Sequence, residues 1–232
     1  MRQKIITLII LLLFTFQITH AEDQDFEYSK PVQNSLNILQ TIYTTLQLDP
    51  QPEIITDNKD IDPILKTLLK QKNEQKIQNY IADRKAQMIK QLHTEIQKGD
   101  ATATVAIVEY ALMFADRSLL QTTDLAPLFQ LSQQKIAYAS YLLARYFEGT
   151  KDYIPFLEKA AHQGSSIAQL TLVDEYGFRL PIEQQDPKKA EYWANAAKQS
   201  LGEDAYMEQK CALANCDTES FEFVDFSEVI QD

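Results

Sequence analysis

The residues that usually carry catalysis are scarce in this chain. Of 232 residues, only two are cysteine, three histidine, one tryptophan and five glycine. Once His20 is set aside with the signal-like N-terminal segment, His93 and His162 are what remains for acid–base or metal work. Neither belongs to an HExxH or HxH arrangement, and a zinc site needs further ligands at such spacing. His162, in Ala160-Ala161-His162-Gln163-Gly164, reads as an exposed side chain at a helix end, and His93 as one polar residue among others on a helix. The few glycines build no phosphate-cradling loop. Gly164-Ser165-Ser166 lacks the G-x-S-x-G turn of a hydrolase nucleophile, and no S-x-x-K is followed by the other β-lactamase motifs. Asp174 and Glu175 are adjacent, so on a helix they point in different directions. The expectation is a protein that is not an enzyme and holds no metal or cofactor.

Positive charge is short as well, with 22 Lys and Arg against 33 Asp and Glu. Long apolar runs are missing beyond residue 21. Before it, Arg2 and Lys4, the stretch Ile5 to Phe16 and Thr19-His20-Ala21 have the charged, apolar and small-residue parts of a secretory signal. A retained anchor is the competing reading, but the apolar stretch is shorter than the ~20 residues of a spanning helix, and Glu22-Asp23-Gln24-Asp25 comes directly after. Cleavage after Ala21 and a periplasmic product without membrane insertion are expected. Losing Arg2 and Lys4 leaves 20 basic against 33 acidic residues, a net charge of −13. Such a surface repels nucleic-acid backbones and draws in a basic protein partner. In an oxidising compartment Cys211 and Cys216 are expected to form one disulfide.

What the chain has in quantity is helix formers, arranged with a period. Ala103-Thr104-Val105-Ala106-Ile107-Val108 aligns with Ala139-Ser140-Tyr141-Leu142-Leu143-Ala144, 36 residues on, and with Ala168-Gln169-Leu170-Thr171-Leu172-Val173, a further 29 on. Ala160 and Ala196 restore an offset of 36 between the second helices. All five glycines, Gly99, Gly149, Gly164, Gly177 and Gly202, lie from residue 99 onward and mark joints. Asp186-Pro187 supplies a cap acceptor and a first-turn proline. Asp152 with Pro155, and Asp124 with Pro127, start earlier helices in a looser version of the same way. Fixed-period self-similarity of this length is the signature of stacked helix pairs.

The first-helix pattern from Ala139 to Phe147 and from Ala168 to Tyr176, with the D-P-x-K-A…W…A-A pattern from Asp186 to Ala197, resembles the Sel1-like repeat family, which is related to TPR repeats. The resemblance covers Gly99 to Ser200. It implies an all-α fold: a right-handed α-solenoid of helix-turn-helix repeats. On that reading residues 1–21 are a signal peptide, 22–98 an N-terminal helical cap, 99–200 the repeat array, and 201–232 a capping helix with an acidic-aromatic tail. Val32, Leu36, Leu39, Tyr43 and Leu46, then Met88, Ile89, Leu92 and Ile96, give the N-terminal region its helical spacing.

Resemblance to Sel1-like repeats also implies a binding role. A stack of hairpins leaves a long face for a partner, and spacing puts Glu109 and Tyr110, Arg145 and Tyr146, and Asp174 and Glu175 at equivalent outward or half-outward places. Tyr110, Tyr138, Arg145, Tyr146, Asp174 and Glu175 are the candidate contacts, since Tyr and Arg carry much binding energy at interfaces. The alternative is that the tyrosines pack between layers. The tail, with Phe221, Phe223, Val224, Phe226, Val229 and Ile230, either caps the last helix or engages a partner. The expected function is an immunity protein that neutralises a toxin delivered to the periplasm, such as a type VI-like effector. An envelope scaffold is the second reading, and a cell-wall or β-lactam hydrolase the reading of another class.

Overall fold

A computed structural model describes residues 26–37, 63–71 and 74–214. Among the described residues every regular element is helical. We number them α1 (residues 30–37), α2 (Pro63–Lys70), α3 (Glu74–Gln97), α4 (Ala101–Met113), α5 (Arg117–Thr122), α6 (Ala126–Gln133), α7 (Ala137–Tyr146), α8 (Tyr153–His162), α9 (Ser166–Asp174), α10 (Pro187–Leu201) and α11 (Glu203–Ala214). A π-helical turn, Glu175–Arg179, prolongs α9, and a short 3-10 turn, Ile182–Gln184, precedes α10. The N-terminal signal pattern, Leu39, Tyr43, Leu46, Cys216 and the tail lie outside the described residues. No described helix is long and apolar enough to cross a membrane.

The chain divides into two compact units, Met1–Leu128 and Phe129–Asp232. In the first, Val32 and Leu36 of α1, Leu65 of α2, Ile77, Ile81, Met88 and Leu92 of α3 and Ala103, Ala106, Ile107 and Tyr110 of α4 form one core. Asp100 caps α4 by accepting from the Thr102 N–H at 2.9 Å, and the Ser29 hydroxyl donates to the same carboxylate. Burial pushes the Asp100 carboxyl up, but the hydrogen bonds from Ser29 and Thr102 outweigh it and hold the group below its ordinary range. Periodicity alone does not reveal α5, a single short capped segment: Asp116 accepts from Leu119 N–H at 3.1 Å.

In the second unit the helices pack in chain order, α7 on α8, α8 on α9, α9 on α10 and α10 on α11. Rings of Phe147 and Phe156 stack at 5.4 Å, with Phe129 edge-on to Phe156 at 5.8 Å, tying α6, the end of α7 and α8. The first helices are not amphipathic. Ala137 to Ala144 of α7 are all buried, as are Ser166 to Leu170, Leu172 and Val173 of α9, and a helix that is apolar on every side is one meant to be enclosed. Asp186 caps α10 through the Lys188 and Lys189 N–H groups, both at 3.1 Å, with Pro187 in the first turn. Asp152, by contrast, makes no side-chain cap; Thr150 Oγ1 accepts from the Asp152 N–H instead.

One backbone closure recurs four times. Gly99, Ala115, Lys135 and Gly164 all take positive φ, between 51° and 104°. In each case the N–H bonds the carbonyl three residues back, and the next N–H reaches one position further toward the N-terminus: Gly99 to Ile96 with Asp100 to Glu95, Ala115 to Leu112 with Asp116 to Ala111, Lys135 to Ser132 with Ile136 to Leu131, and Gly164 to Ala161 with Ser165 to Ala160. This is the helix-ending closure that uses a left-handed residue. The next helix starts two residues later every time. Gly99, Lys135 and Gly164 stand 36 and 29 residues apart, the offsets read from the alanines. Lys135 and Ala115 hold a conformation that disfavours a side chain by about 1 kcal/mol. Lys135→Gly and Ala115→Gly are therefore each expected to stabilise the protein by about 0.5 kcal/mol after the added freedom of the unfolded chain is subtracted; urea denaturation checks this.

A polar clasp recurs as well. The Gln163 amide nitrogen donates to the Ser132 carbonyl at 3.0 Å, and its oxygen accepts from the Ser140 hydroxyl. Since that uses the one proton of Ser140, Ser132 must donate across the 2.7 Å hydroxyl contact. At the next position the partners exchange places. The Gln169 amide donates to the Ala161 carbonyl at 3.2 Å and accepts from the Ser200 hydroxyl at 3.3 Å. Ser132 and Ala161, like Ser140 and Gln169, are 29 residues apart. Each clasp joins the end of one second helix, the next first helix and the end of the following second helix. Thr104 occupies the corresponding place on α4, fully buried, and its hydroxyl has no partner among the described residues. Ser140→Ala is expected to cost about 1–3 kcal/mol, because it strands buried partners, while Thr104→Val costs nothing or stabilises. Thermal melts of the two variants give the comparison.

Candidate functional site

The ends of the first helices in the second unit carry a row of charge. Arg145 closes α7, Asp174 closes α9 and Lys210 lies in the last turns of α11; they are 29 and 36 residues apart, the offsets of the alanine alignment, and alternate in sign. Glu109, 36 residues before Arg145, has the same place on α4.

Arg145 is the exposed member. Its Nε lies 3.4 Å from Glu148, with 45% of its side chain open to solvent, and its Nη1 donates to the Tyr141 hydroxyl at 3.4 Å. Tyr146, half-buried beside it, meets Phe147 edge-on at 5.0 Å. Next in the row, Tyr153 donates to Glu175 Oε1 at 3.0 Å, and Arg179 Nη1 approaches the same oxygen at 3.9 Å. Burial first, then the Glu175 charge, pushes the Tyr153 hydroxyl well above its ordinary value, so it remains a donor. Asp174 is half-buried; burial raises its carboxyl against the opposing pull of Lys210 and Arg179. Burial likewise lowers the Lys210 ammonium, and the Asp174 charge resists it. Each charge thus partly offsets what burial does to the other.

Glu158 of α8, Tyr176 of the π turn and Lys189 of α10 form a closed triangle. Tyr176 donates to Glu158 at 2.7 Å, and the Lys189 ammonium reaches Glu158 at 3.0 Å and the Tyr176 oxygen at 2.9 Å. Burial pushes Glu158 up, but the Tyr176 and Lys189 hydrogen bonds outweigh it and its carboxyl sits low. The Tyr176 and Glu158 bonds raise Lys189. Each group bonds both of the others, which makes the triangle a brace between α8, the π turn and α10.

Three of the six residues chosen from helical spacing are not on the surface. Tyr110 is 4% exposed, Tyr138 3% and Glu175 8%. Their placement is corrected for a common reason: the first helices are enclosed on nearly every side, so the positions that would be outward on a two-faced helix are inside. Tyr110 packs against Phe114 at 4.7 Å and under Lys85, its hydroxyl pushed up to about 12 by burial and by Asp116. Glu175 is turned inward by the π turn and satisfied by Tyr153. Arg145, Tyr146 and Asp174 remain at or near the surface.

Helical spacing does not reveal the π turn or the loop after it. Leu180 N–H bonds the Glu175 carbonyl at 3.0 Å, a π-type bond, and Asp186 N–H bonds the Tyr176 carbonyl at 3.0 Å, closing a loop that presents Phe178, Arg179 and Ile182 to solvent. Single π turns are common at functional sites. The length of the Gly177 to Asp186 segment is its one sign in the sequence. His162 is exposed at the end of α8, its ring edge-on to buried Trp193 at 4.8 Å; His93 is half-buried on α3. Among the described residues no three His, Cys, Asp or Glu side chains gather as a metal site. Cys211 is buried near the end of α11, and its expected partner Cys216 is outside the described residues. No family model, curated protein or solved structure matches the chain.

Proposed function

We propose that this protein is a non-catalytic binding module, a right-handed solenoid of Sel1-like repeats that recognises another protein in the periplasm. The observation that carries the reading is the row from Arg145 to Arg179. It sets an exposed guanidinium, a half-buried tyrosine, a second exposed guanidinium and two exposed apolar side chains on one series of helix ends, held by the Tyr153–Glu175 bond. Arginine and aromatic groups on a rigid support are what interface hot spots are made of. The repeated closures and clasps support the stacked-hairpin part of the proposal, since both recur at the repeat offsets. The signal-like N-terminus supports export, and export favours a Cys211–Cys216 disulfide.

Within this class an immunity protein suits the net charge of −13 that the exported chain would carry, which accelerates encounter with a basic toxin. Coexpression with each toxin encoded beside this gene, scored by survival and by co-purification, tests it. Arg145→Ala combined with Tyr146→Ala is expected to weaken the complex at least tenfold, about 1.4 kcal/mol, with the helical signal unchanged. Unaltered affinity in that variant removes this face from the proposal, and no toxin-like neighbour removes the immunity role. Capture of a housekeeping envelope protein from unchallenged cells would favour a scaffold.

A further inference from the structure

The loop beyond the π turn exposes two large apolar side chains, Phe178 at 61% and Ile182 at 84%. Fraying does not account for them. The Gln185 amide nitrogen donates to the Phe178 and Leu180 carbonyls at 3.3 and 2.8 Å, its N–H bonds the Pro181 carbonyl at 3.1 Å, and Asp186 closes the loop on Tyr176. A loop cross-braced in this way holds its apolar side chains out at a fixed position, with the Arg179 guanidinium, 53% exposed, between them.

The end of α11 lies where its continuation can cover this patch. Tyr206 packs with Leu170 in one cluster, and Lys210 lies within electrostatic reach of Asp174. Both pairs are 36 residues apart, so α11 runs in the same direction as α9. Ala214 lies four residues past Lys210 and Phe178 four past Asp174, so each stands about one turn beyond that pair. From there the sequence has eighteen more residues, 215–232, with six acids, no Lys, Arg or His, and three phenylalanines at 221, 223 and 226. The six residues between Ala214 and Phe221 can span up to about 20 Å, which is ample for the loop. An acidic, phenylalanine-rich segment starting beside an exposed apolar patch that carries an exposed arginine is complementary to it in both charge and hydropathy.

We propose that residues 219–232 dock in cis on the Phe178–Ile182 loop, with phenylalanines covering Phe178 and Ile182 and a carboxylate meeting Arg179. This does not depend on the identity of any partner, nor on the immunity reading.

The test is a photo-crosslinking amino acid in place of Ile182 in the full chain, irradiated at low concentration and mapped by peptide mass. Crosslinks from position 182 to residues 219–232 of the same chain are expected. Crosslinks to a second copy, or none to the tail, overturn the proposal. As a second measurement, Phe178→Ser with Arg179→Glu in the full chain, both at exposed positions, is expected to speed amide exchange across 219–232 by tenfold or more, equivalent to about 1.4 kcal/mol of lost docking. Tail exchange identical to that of the unaltered chain, with the helical signal intact, also overturns it.

Discussion

Trp193→Ala is expected to destabilise the second unit by about 3–5 kcal/mol, the range for removing a buried indole whose site cannot collapse. Trp193 is 3% exposed, and with Ala190 and Ala197 it forms the buried stripe of α10. Its ring meets His162 at the end of α8 edge-on at 4.8 Å and Tyr192 at 4.9 Å, so it bridges two second helices as well as facing its own layer. The small alanines on either side let helices come close, and closely packed backbones have little room to close over a void. Trp193 is also the only tryptophan, so the variant must be followed by circular dichroism in urea, whereas fluorescence of the unaltered protein reports this unit alone. A loss below about 1 kcal/mol, well under the range for a buried indole, would mean that this ring does not hold α10 in place.

Gln169→Leu should follow it in size, at about 1–3 kcal/mol, although leucine is the more apolar side chain and fills much the same space. Gln169 is 6% exposed in the middle of α9. Its amide satisfies the Ala161 carbonyl, already at a helix end, and takes the Ser200 hydroxyl from α10. Leucine leaves the buried Ala161 carbonyl with the Gly164 N–H but one partner fewer, while Ser200, exposed at the end of α10, keeps the Ala196 carbonyl at 3.0 Å; the cost of the carbonyl's lost partner exceeds the gain from a more apolar side chain. Gln169→Glu would be worse still, since it puts a carboxylate against a carbonyl. Thermal melts of both variants check the order.

Much of the all-helical architecture is legible from residues alone. Asp186-Pro187 marks the start of α10, Asp124 that of α6 through the Ala126 N–H, and Gly99 and Gly164 mark two joints. Lys135 and Ala115 close helices in the same left-handed geometry, and nothing in a lysine or alanine announces it. The site is less legible, and the reason is physical. Spacing assigns each helix one apolar face and one free face, whereas α4, α7 and α9 are enclosed almost all round. Polar residues on them therefore sit inside and find partners there: Glu109 accepts from Tyr28, Ser140 meets Gln163, and Glu175 meets Tyr153. A buried glutamate with a tyrosine partner and an exposed one look identical in sequence. The π turn adds to this by turning Glu175 inward and bringing Phe178 out, a shift in phase that helical periodicity does not encode.

Amide exchange of this protein, alone and with a basic toxin encoded beside its gene, addresses the proposed role most directly. Slowed exchange concentrated at residues 145–153 and 174–182 is the result expected of a partner seated on the charged helix ends. Protection confined to the first unit, or no change anywhere with every such toxin, would contradict it.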